Sequence, residues 1–315
     1  MTLRSALLDF VCILAFGKCD PVRLKRVTRC VPTARGISLV ALLLASPLVA
    51  QAQFTYTTNN GAITLTGYTG PGGVVAIPST TNGLPVTGIG DWAFLSCSNV
   101  TSVTIPNSVT NMGTGAFWGC TSLGQATLGN GLTNIDDFAF ADCFSLTGVT
   151  LPGSLTSIGF GAFEFCTSLT NVTLPSALTN IEANAFYGCG TLTSVFSKGN
   201  APSVPDATVF AEADNATVYY LPGTTNWGSP FGGAPAVLWN PQVQAGAASF
   251  GVRTNRFGFN IIGTPDIPIA VEASASLASA KWTTLLTCTL TNGLVYFNDP
   301  QWTNFPGRFY RICSP

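Results

Sequence analysis

The sequence contains no histidine and very little charge. Only 9% of its 315 residues are charged, comprising 13 Lys or Arg and 14 Asp or Glu. Histidine is the commonest general base near neutral pH and the commonest metal ligand in proteins. Neither a Ser-His-Asp nor a Cys-His nucleophile can therefore be assembled from this chain. We expect a protein that is not an enzyme and that uses no cofactor or metal.

The sequence also lacks an apolar run as long as the roughly 20 residues that a transmembrane helix needs. Its most apolar stretch, 37–50, follows the basic segment 23–35 and precedes Ala50-Gln51-Ala52. A basic segment, a short apolar core and a small-x-small box are typical of a secretory signal peptide. We therefore predict a signal peptide region at 1–52 and a secreted or cell-surface protein. We expect no membrane span after the signal is cleaved.

Basic residues are scarce beyond this predicted signal. Seven of the 13 Lys and Arg lie in the first 35 residues, whereas only Asp9 and Asp20 precede position 53. Removal of 1–52 leaves 13 less 7, or 6, basic residues against 14 less 2, or 12, acidic ones. A net charge of −6 is unfavourable for contact with a phosphate backbone. We therefore expect no nucleic-acid partner.

What the sequence does contain is a repeated unit that occurs five times in register, with a constant period of 23. The units begin at Ile89, Met112, Ile135, Ile158 and Ile181. Each unit carries Ala-Phe, a cysteine three residues later, and then a short alternating run such as Val149-Thr150-Leu151-Pro152. We expect two ladders of identical side chains, formed by Phe94, Phe117, Phe140, Phe163 and Phe186 and by Cys97, Cys120, Cys143, Cys166 and Cys189.

The spacing within a unit predicts its local structure. The Val-x-Leu alternation indicates a strand with one buried face, and the following proline ends it by removing a hydrogen-bond donor. The Ile-x-x-x-Ala-Phe-x-x-Cys stretch places apolar residues one turn apart, which predicts a short helical or 3-10 turn. No single unit can bury its apolar face alone. The units must therefore stack as a solenoid, with ladders spaced by about 4.8 Å.

The residues of this unit resemble the BspA-like, bacterial surface-antigen type of leucine-rich repeat. The resemblance covers residues 89–197, through the pattern Ile-x-x-x-Ala-Phe-x-x-Cys-x-x-Leu-x-x-Val-x-Leu-Pro. It implies a leucine-rich repeat solenoid and a secreted or surface protein that takes part in adhesion and in contact with a host or matrix. It implies no catalytic motif and does not specify a ligand.

The sequence around the repeats predicts the remaining organisation. Residues 53–88 are expected to form an N-terminal cap and first coil, in which 62–65 and 74–77 form a hairpin around Gly70-Pro71-Gly72-Gly73. The solenoid with a degenerate C-terminal cap spans 89–222, and a linker rich in Gly and Pro follows at 223–248. Short alternating runs in 249–315 predict a small antiparallel β-sandwich. Its closing segment, 306–311, resembles a terminal module of secreted bacterial repeat proteins.

The cysteines of the repeat have three possible roles. A metal site needs ligands that converge on one point, whereas these five are distributed one per coil. Disulfides between coils are disfavoured because ladder geometry does not match the roughly 3.8 Å Cβ separation of a disulfide. We therefore interpret them as buried free cysteines that act as small apolar residues. A bond between Cys288 and Cys313, on predicted strands of the last domain, remains open.

The outward positions of the strands are the candidate binding surface. By alternation they form two columns without charge, Ser102, Gln125, Gly148, Asn171 and Ser194, and Thr104, Thr127, Thr150, Thr173 and Phe196. The candidate binding residues are Thr104, Gln125, Thr127, Thr150, Asn171 and Thr173. These columns could be merely a solvated face, because Thr is favoured on exposed strands. Alternatively, they could bind a neutral partner, either an extracellular protein or a glycan.

Two other functions remain open at this point. The protein could be a structural component of a cell envelope or extracellular matrix layer. It could also be a carbohydrate-active enzyme, which would need two carboxylates across a cleft. The acids of the repeats are scattered and are expected on the convex face, at Asp91, Asp136, Asp137, Asp142, Glu164 and Glu182.

The signal peptide hypothesis predicts the N-terminus of the exported protein. Cleavage after Ala52 would leave an N-terminus at or within a few residues of Gln53, because the small-x-small box ends there. Mass spectrometry of the exported chain measures this directly. Recovery of the full-length chain embedded in the membrane would contradict the prediction.

Overall fold

The computed structural model describes residues 53–246, 250–253, 256–278 and 281–313. The predicted signal peptide region, 1–52, lies outside the described residues. The described chain forms two compact units, and the boundary between them lies between Trp239 and Asn240. Among the described residues, no helix is long or apolar enough to cross a bilayer.

The first unit is a β-solenoid of about seven turns. Its strands are, in chain order, β1 (Phe54–Asn59), β2 (Ala62–Tyr68), β3 (Gly73–Ala76), β4 (Thr80–Thr81), β5 (Leu84–Ile89), β6 (Val100–Thr104), β7 (Asn111–Met112), β8 (Gln125–Thr127), β9 (Asn134–Ile135), β10 (Gly148–Thr150), β11 (Ser157–Ile158), β12 (Asn171–Leu174), β13 (Asn180–Ile181), β14 (Ser194–Ser197), β15 (Thr217–Tyr220) and β16 (Ala236–Leu238).

The four coils from β6 to β13 each contribute one strand to a principal column and one two-residue strand to a second column. In the principal column, β3, β6, β8 and β10 form one parallel sheet, and β12, β14, β15 and β16 form another. Equivalent residues lie side by side, as in the pairing of Thr104 with Thr127 and of Ile158 with Ile181. The predicted leucine-rich repeat solenoid is thus confirmed.

The N-terminal cap differs from the hairpin predicted for it. The hairpin joins β1 to β2 through Asn60 and Gly61, with φ of 49° and 76°. Positive φ at both positions is characteristic of the tight type I′ turn, for which Asn-Gly is a preferred pair. Strand β3, predicted to be the partner of β2, instead pairs in parallel with β6. It therefore begins the principal column of strands.

The segment between the two strands of each coil is a chain of turns rather than a helix. Backbone N–H groups there alternate between two kinds of acceptor. Those of Leu95 and Cys97 donate within the coil to the carbonyl three residues earlier, whereas those of Phe94 and Ser96 donate to the next coil. Trp92 and Ser96 accordingly have φ of 56° and 54°. A helix needs negative φ throughout, so the predicted helical turn does not form.

The phenylalanine ladder is the centre of the core. Its five rings are fully buried. Successive centroids along Phe94, Phe117, Phe140, Phe163 and Phe186 are 4.6, 5.2, 5.4 and 5.3 Å apart, and all four ring pairs are stacked. Phe210 adds a sixth ring at 5.4 Å from Phe186, and Tyr68 covers the other end at 5.1 Å from Phe94. The stack therefore extends beyond the five regular units at both ends.

The cysteine ladder is a series of thiols hydrogen-bonded to the backbone. The Sγ atoms of Cys120, Cys143, Cys166 and Cys189 donate to the phenylalanine carbonyl of the preceding coil, over 3.1–3.3 Å. Burial raises the pKa of the Cys120 and Cys189 thiols to about 12, so they remain protonated donors. Cys97, in the first unit of the array, is half-buried rather than buried.

The segment 223–248 differs from the linker predicted for it. Strand β16 lies within it and pairs in parallel with β15, so the solenoid continues for one more strand. Trp227 covers this end, with its ring 5.2 Å from that of Tyr220 and 4.9 Å from that of Phe231. The Gly and Pro residues that suggested a linker therefore lie in turns that support an aromatic cap.

The second unit is a small antiparallel β-structure. Its strands are β17 (Gln242–Gln244), β18 (Phe250–Arg253), β19 (Arg256–Ile262), β20 (Pro268–Ser274), β21 (Thr283–Thr289), β22 (Leu294–Asp299) and β23 (Phe309–Cys313), with 3-10 turns at Thr291–Gly293 and Trp302–Asn304. One sheet is built around β19, which pairs with β17, β18 and β22, and the other is β21-β20-β23.

Aromatic contacts join the two sheets of this unit. Tyr310 of β23 stacks on Phe257 of β19 at 5.1 Å, and its ring lies 5.8 Å from that of Phe297 of β22. Buried Asp299 accepts a hydrogen bond from the Tyr310 hydroxyl at 2.9 Å and forms an ion pair with Arg308. The predicted antiparallel β-sandwich is confirmed, and its closing segment contributes to the core.

The possible bond between Cys288 and Cys313 does not form. These residues lie on β21 and β23, with β20 between them. They pair with Ile269 and Ala270, adjacent residues of β20 whose side chains point to opposite faces of the sheet. The two thiols are therefore separated both by a strand and by the plane of the sheet.

The ladder predicts how the solenoid responds to loss of one ring. Phe140→Ala should lower the free energy of unfolding by about 3–5 kcal/mol, because a buried ring is replaced by a cavity between two neighbours. Phe144→Ala, in the same coil, removes a ring that is 44% exposed and serves as the matched control. Chemical denaturation of both variants measures the difference. An unchanged unfolding midpoint in Phe140→Ala would contradict the assignment of this ladder.

Candidate functional site

The predicted binding residues lie together on the outward side of the principal strands, which we call the strand face. Thr104, Thr127 and Thr150 are exposed and adjacent to one another in the parallel register. Gln125 and Asn171 are exposed beside them, whereas Thr173 is half-buried. The alternation in the sequence thus locates an exposed column of threonines flanked by two amides.

Threonine hydroxyls fall into two groups according to their hydrogen bonds. At the corners of the coils, Thr110, Thr156 and Thr179 donate to the backbone carbonyl 23 residues earlier, over 2.9–3.2 Å. Thr147 and Thr193 do the same next to the principal strands. These hydroxyls stabilise the stacking of neighbouring coils and are therefore already engaged.

The strand-face threonines belong to the other group. Within the described residues, the hydroxyls of Thr104, Thr127, Thr150 and Thr173 have no hydrogen-bonding partner. A hydroxyl can donate one hydrogen bond and accept two, so each of these side chains can contact a ligand without breaking a bond inside the protein. This difference separates the candidate site from the other threonines of the repeat.

The two amides are held in place by neighbouring hydroxyls. Gln125 Nε2 donates to Thr147 Oγ1 at 2.8 Å, and Asn171 Nδ2 donates to Thr170 Oγ1 at 3.2 Å. The Gln125 side chain lies over Gly148, where an added Cβ would come within 3.0 Å of its Oε1. Gly148 therefore leaves room for the Gln125 amide.

The ladder of principal strands is interrupted in the middle of this face. One parallel sheet ends at β10 and the other begins at β12. Val149 and Leu151 at this interruption are half-buried, whereas the equivalent Val172 and Leu174 of the next coil are buried. A cleft of about 470 Å³ lies here, lined by Gln125, Gly148, Val149, Thr150, Leu151, Gly153, Asn171, Thr173, Pro175, Ser176 and Lys198. We call it the strand-face cleft.

Lys198 is the only basic residue among 53–239, which also contain nine acidic residues. It occupies the position that is proline in other coils, at Pro152 and Pro175, and its backbone N–H donates to the Leu174 carbonyl at 3.1 Å. The two outward columns are uncharged, as predicted, but the cleft beside them contains a cation. This cation was not predicted, because Lys198 belongs to neither of the two columns.

The last position of the threonine column also differs from the prediction. Phe196 was expected to be exposed, yet only 8% of it is accessible. Its ring stacks on Tyr219 at 5.2 Å and meets Trp239 edge-on at 6.4 Å. The column therefore ends in an aromatic cluster after Thr173, because the following coils place large rings where the earlier ones place threonine.

Of the six carboxylates of the repeats, all except that of Glu164 accept hydrogen bonds from their own chain. Asp91 Oδ1 accepts the N–H of Thr114 at 3.0 Å, and Asp142 accepts the indole N–H of Trp118 at 2.9 Å. Burial, and then the charge of Asp142, raise the pKa of Glu164. Of these six acids, none lines the strand-face cleft. A hydrolytic pair of carboxylates is thus not part of the candidate site.

The turn segments carry a row of aromatic rings whose adjacency was not predicted from the sequence. Neighbouring rings along Trp92, Trp118, Phe138 and Phe160 are 5.2–5.3 Å apart. Trp92 and Phe160 are 41% and 37% exposed, respectively. Trp92 and Phe138 occupy the same position of alternate units, whereas Trp118 and Phe160 occupy two other positions, so the period of 23 does not reveal that the four rings are adjacent.

Comparison with known proteins identifies the family. A sequence profile of the BspA type leucine rich repeat region matches residues 87–216 in six copies. The chain belongs to this family, so the predicted resemblance is confirmed. A search of curated proteins finds no match.

Several solved structures are similar to the repeat region. A leucine rich repeat protein of T. pallidum, TpLRR, is 32% identical, with a TM-score of 0.48, and the match covers 54% of this chain and 84% of that one. A leucine-rich repeat protein from Bacteroides ovatus is 27% identical over 53% of this chain and 54% of its own, with a TM-score of 0.44. A leucine rich cell surface protein from Faecalibacterium prausnitzii is 24% identical over 54% and 69%, with a TM-score of 0.30.

Proposed function

We propose that this BspA type repeat protein is a secreted or cell-surface, non-catalytic binding protein that adheres to its partner through the strand face. The single observation that carries the proposal is the column of unengaged hydroxyls at Thr104, Thr127 and Thr150, beside the amides of Gln125 and Asn171. Elsewhere in these coils, the hydroxyls of Thr147 and Thr156 are bonded to the backbone. A repeat that only needed β-favouring residues would not require this separation.

The chemistry of the face suits a partner rich in hydrogen-bonding groups. Thr104, Thr127 and Thr150 form a strip of two intervals, about 10 Å long at the usual strand spacing. Removing a charged group from water costs a large free energy. Because the strip is uncharged, a partner can cover it without that cost. The methyl groups of the same side chains add apolar contact. The partner is therefore an extracellular protein or glycan that presents a flat polar surface.

The predicted signal peptide supports the extracellular location. In addition, the four free thiols of the ladder are buried and protonated, so an oxidising environment does not readily attack them. The rigid stack of phenylalanine rings holds the strand face in shape before a partner arrives. Such preorganisation reduces the entropy lost on binding.

A charge placed on the column tests the proposal. Thr127→Lys with Thr150→Lys should leave thermal stability nearly unchanged, because exposed strand positions tolerate a charged side chain. The double variant should show more than tenfold lower capture on a glycan and matrix-protein array. Each substitution removes a threonine hydroxyl that is available to the partner, and the new charge must be desolvated on binding. The measurements are a thermal melt and array binding by the purified protein.

A matched control is available in the same two coils. Ser122 and Ser145 are exposed, occupy equivalent positions of successive units, and lie in the turns that precede β8 and β10. Ser122→Lys with Ser145→Lys adds the same charge away from the column and should preserve capture. Loss of capture in the control pair alone would move the site to the turns. Ordered self-assembly of the purified protein without array binding would instead support the structural role.

A further inference from the structure

The strand-face cleft combines features that the rest of the strand face lacks. Its volume of about 470 Å³ falls within the range of roughly 300–1,000 Å³ that small-molecule sites occupy. Residues from four successive coils line it, from Gln125 to Lys198. It exists because the ladder stops between β10 and β12, where Val149 and Leu151 are partly uncovered. The cleft is therefore a concave site on the strand face.

Lys198 gives this cleft a positive charge. Within the described residues, the Lys198 ammonium group forms no ion pair. Because residues 53–239 contain nine acids and no other base, the cleft is the place on the first unit where an anion is attracted. The groups around it are hydroxyls and amides, at Thr150, Asn171, Thr173 and Ser176.

We propose that the strand-face cleft binds an acidic sugar unit of a glycan, with its carboxylate at Lys198. Sugar hydroxyls both donate and accept, as do the hydroxyl and amide groups of Thr150, Asn171 and Ser176. Val149, Leu151 and Pro175 offer an apolar floor for the C–H groups of a sugar ring. This inference rests on the proposed function and specifies the ligand class at the same face.

The charge balance of the first unit limits the ligand to few carboxylates. With nine acids and one base, residues 53–239 carry a formal charge of −8, which repels a polyanion. A glycan with one acidic unit among neutral ones avoids that repulsion and still engages Lys198. The neutral units can then extend along the threonine column. A sulfated or polyuronic chain fits this distribution of charge less well.

Two matched disaccharides test the assignment. Cellobiouronic acid and cellobiose differ only by a carboxylate in place of a hydroxymethyl group, and isothermal titration calorimetry compares their binding to the protein. The acidic disaccharide should bind about tenfold more tightly, because a hydrogen bond to a charged group contributes more than a neutral one. The preference should decrease at high salt, because the cleft is open to solvent.

Substitution of Lys198 separates the charge from the fold. Lys198→Gln should abolish the preference for the acidic disaccharide, whereas Lys198→Arg should retain that preference. Lys281→Gln removes one positive charge from the second unit and should change neither affinity. Thermal melts establish that all three variants are folded. Retention of the preference in Lys198→Gln overturns the proposal.

The remaining outcomes also decide the matter. Equal affinity for the two disaccharides, or no binding of either, overturns an acidic sugar site. If a short oligoglutamate binds more tightly than cellobiouronic acid, and if its binding depends on Lys198, the cleft is assigned to an acidic peptide. That result would overturn the sugar class. If Thr127→Lys with Thr150→Lys abolishes array capture while Lys198→Gln has no effect, the proposed function stands and this inference fails. If instead the preference for the acidic disaccharide depends on Lys198 while Thr127→Lys with Thr150→Lys leaves array capture intact, this inference stands and the proposed function fails.

Discussion

The structure depends on a single register between successive coils, which is held by hydrogen bonds between coils in the turn segments. There every second N–H donates to the next coil, as from Phe140 to the Ala162 carbonyl at 2.8 Å. This bond places each phenylalanine ring against the equivalent ring of its neighbour. It also leaves the Phe140 carbonyl positioned to accept the thiol of Cys166. The strand columns, the core and the exposed threonines all follow from the same one-coil offset.

That dependence explains which features the sequence predicts well. Identical side chains must stack, so the Phe, Cys and Thr columns recur visibly once in every unit of the sequence. The backbone conformation of the turns was harder to predict, because the spacing of Ile89, Ala93 and Phe94 is also that of one helical turn. Spacing does not report φ, and the left-handed residues Trp92 and Ser96 exclude a helix. Phe210 was missed because an extra residue in the last coil shifts it out of the period that Phe186 follows.

The candidate site was predictable as a face but not as a cleft. Alternation correctly separated Thr127 and Thr150 from the core. The interruption between β10 and β12 depends on how two coils pack in three dimensions, and Val149 resembles Val172 in the sequence. Lys198 was overlooked because it occupies a proline position, at the end of a strand rather than in an outward column. Phe196 was misplaced because strand alternation does not reveal the rings of Tyr219 and Trp239 that cover it.

The interrupted ladder has a local consequence for the solenoid. On either side of it, main-chain bonds between principal strands fix the spacing of the coils. Between β10 and β12 the coils remain joined through the turn segments, where Phe140 and Asp142 donate to the following coil. The same two coils are also joined by the pairing of β11 with β13 and by the stacked rings of Phe140 and Phe163. The interruption therefore opens the strand face locally, while the rest of each coil keeps its spacing to the next.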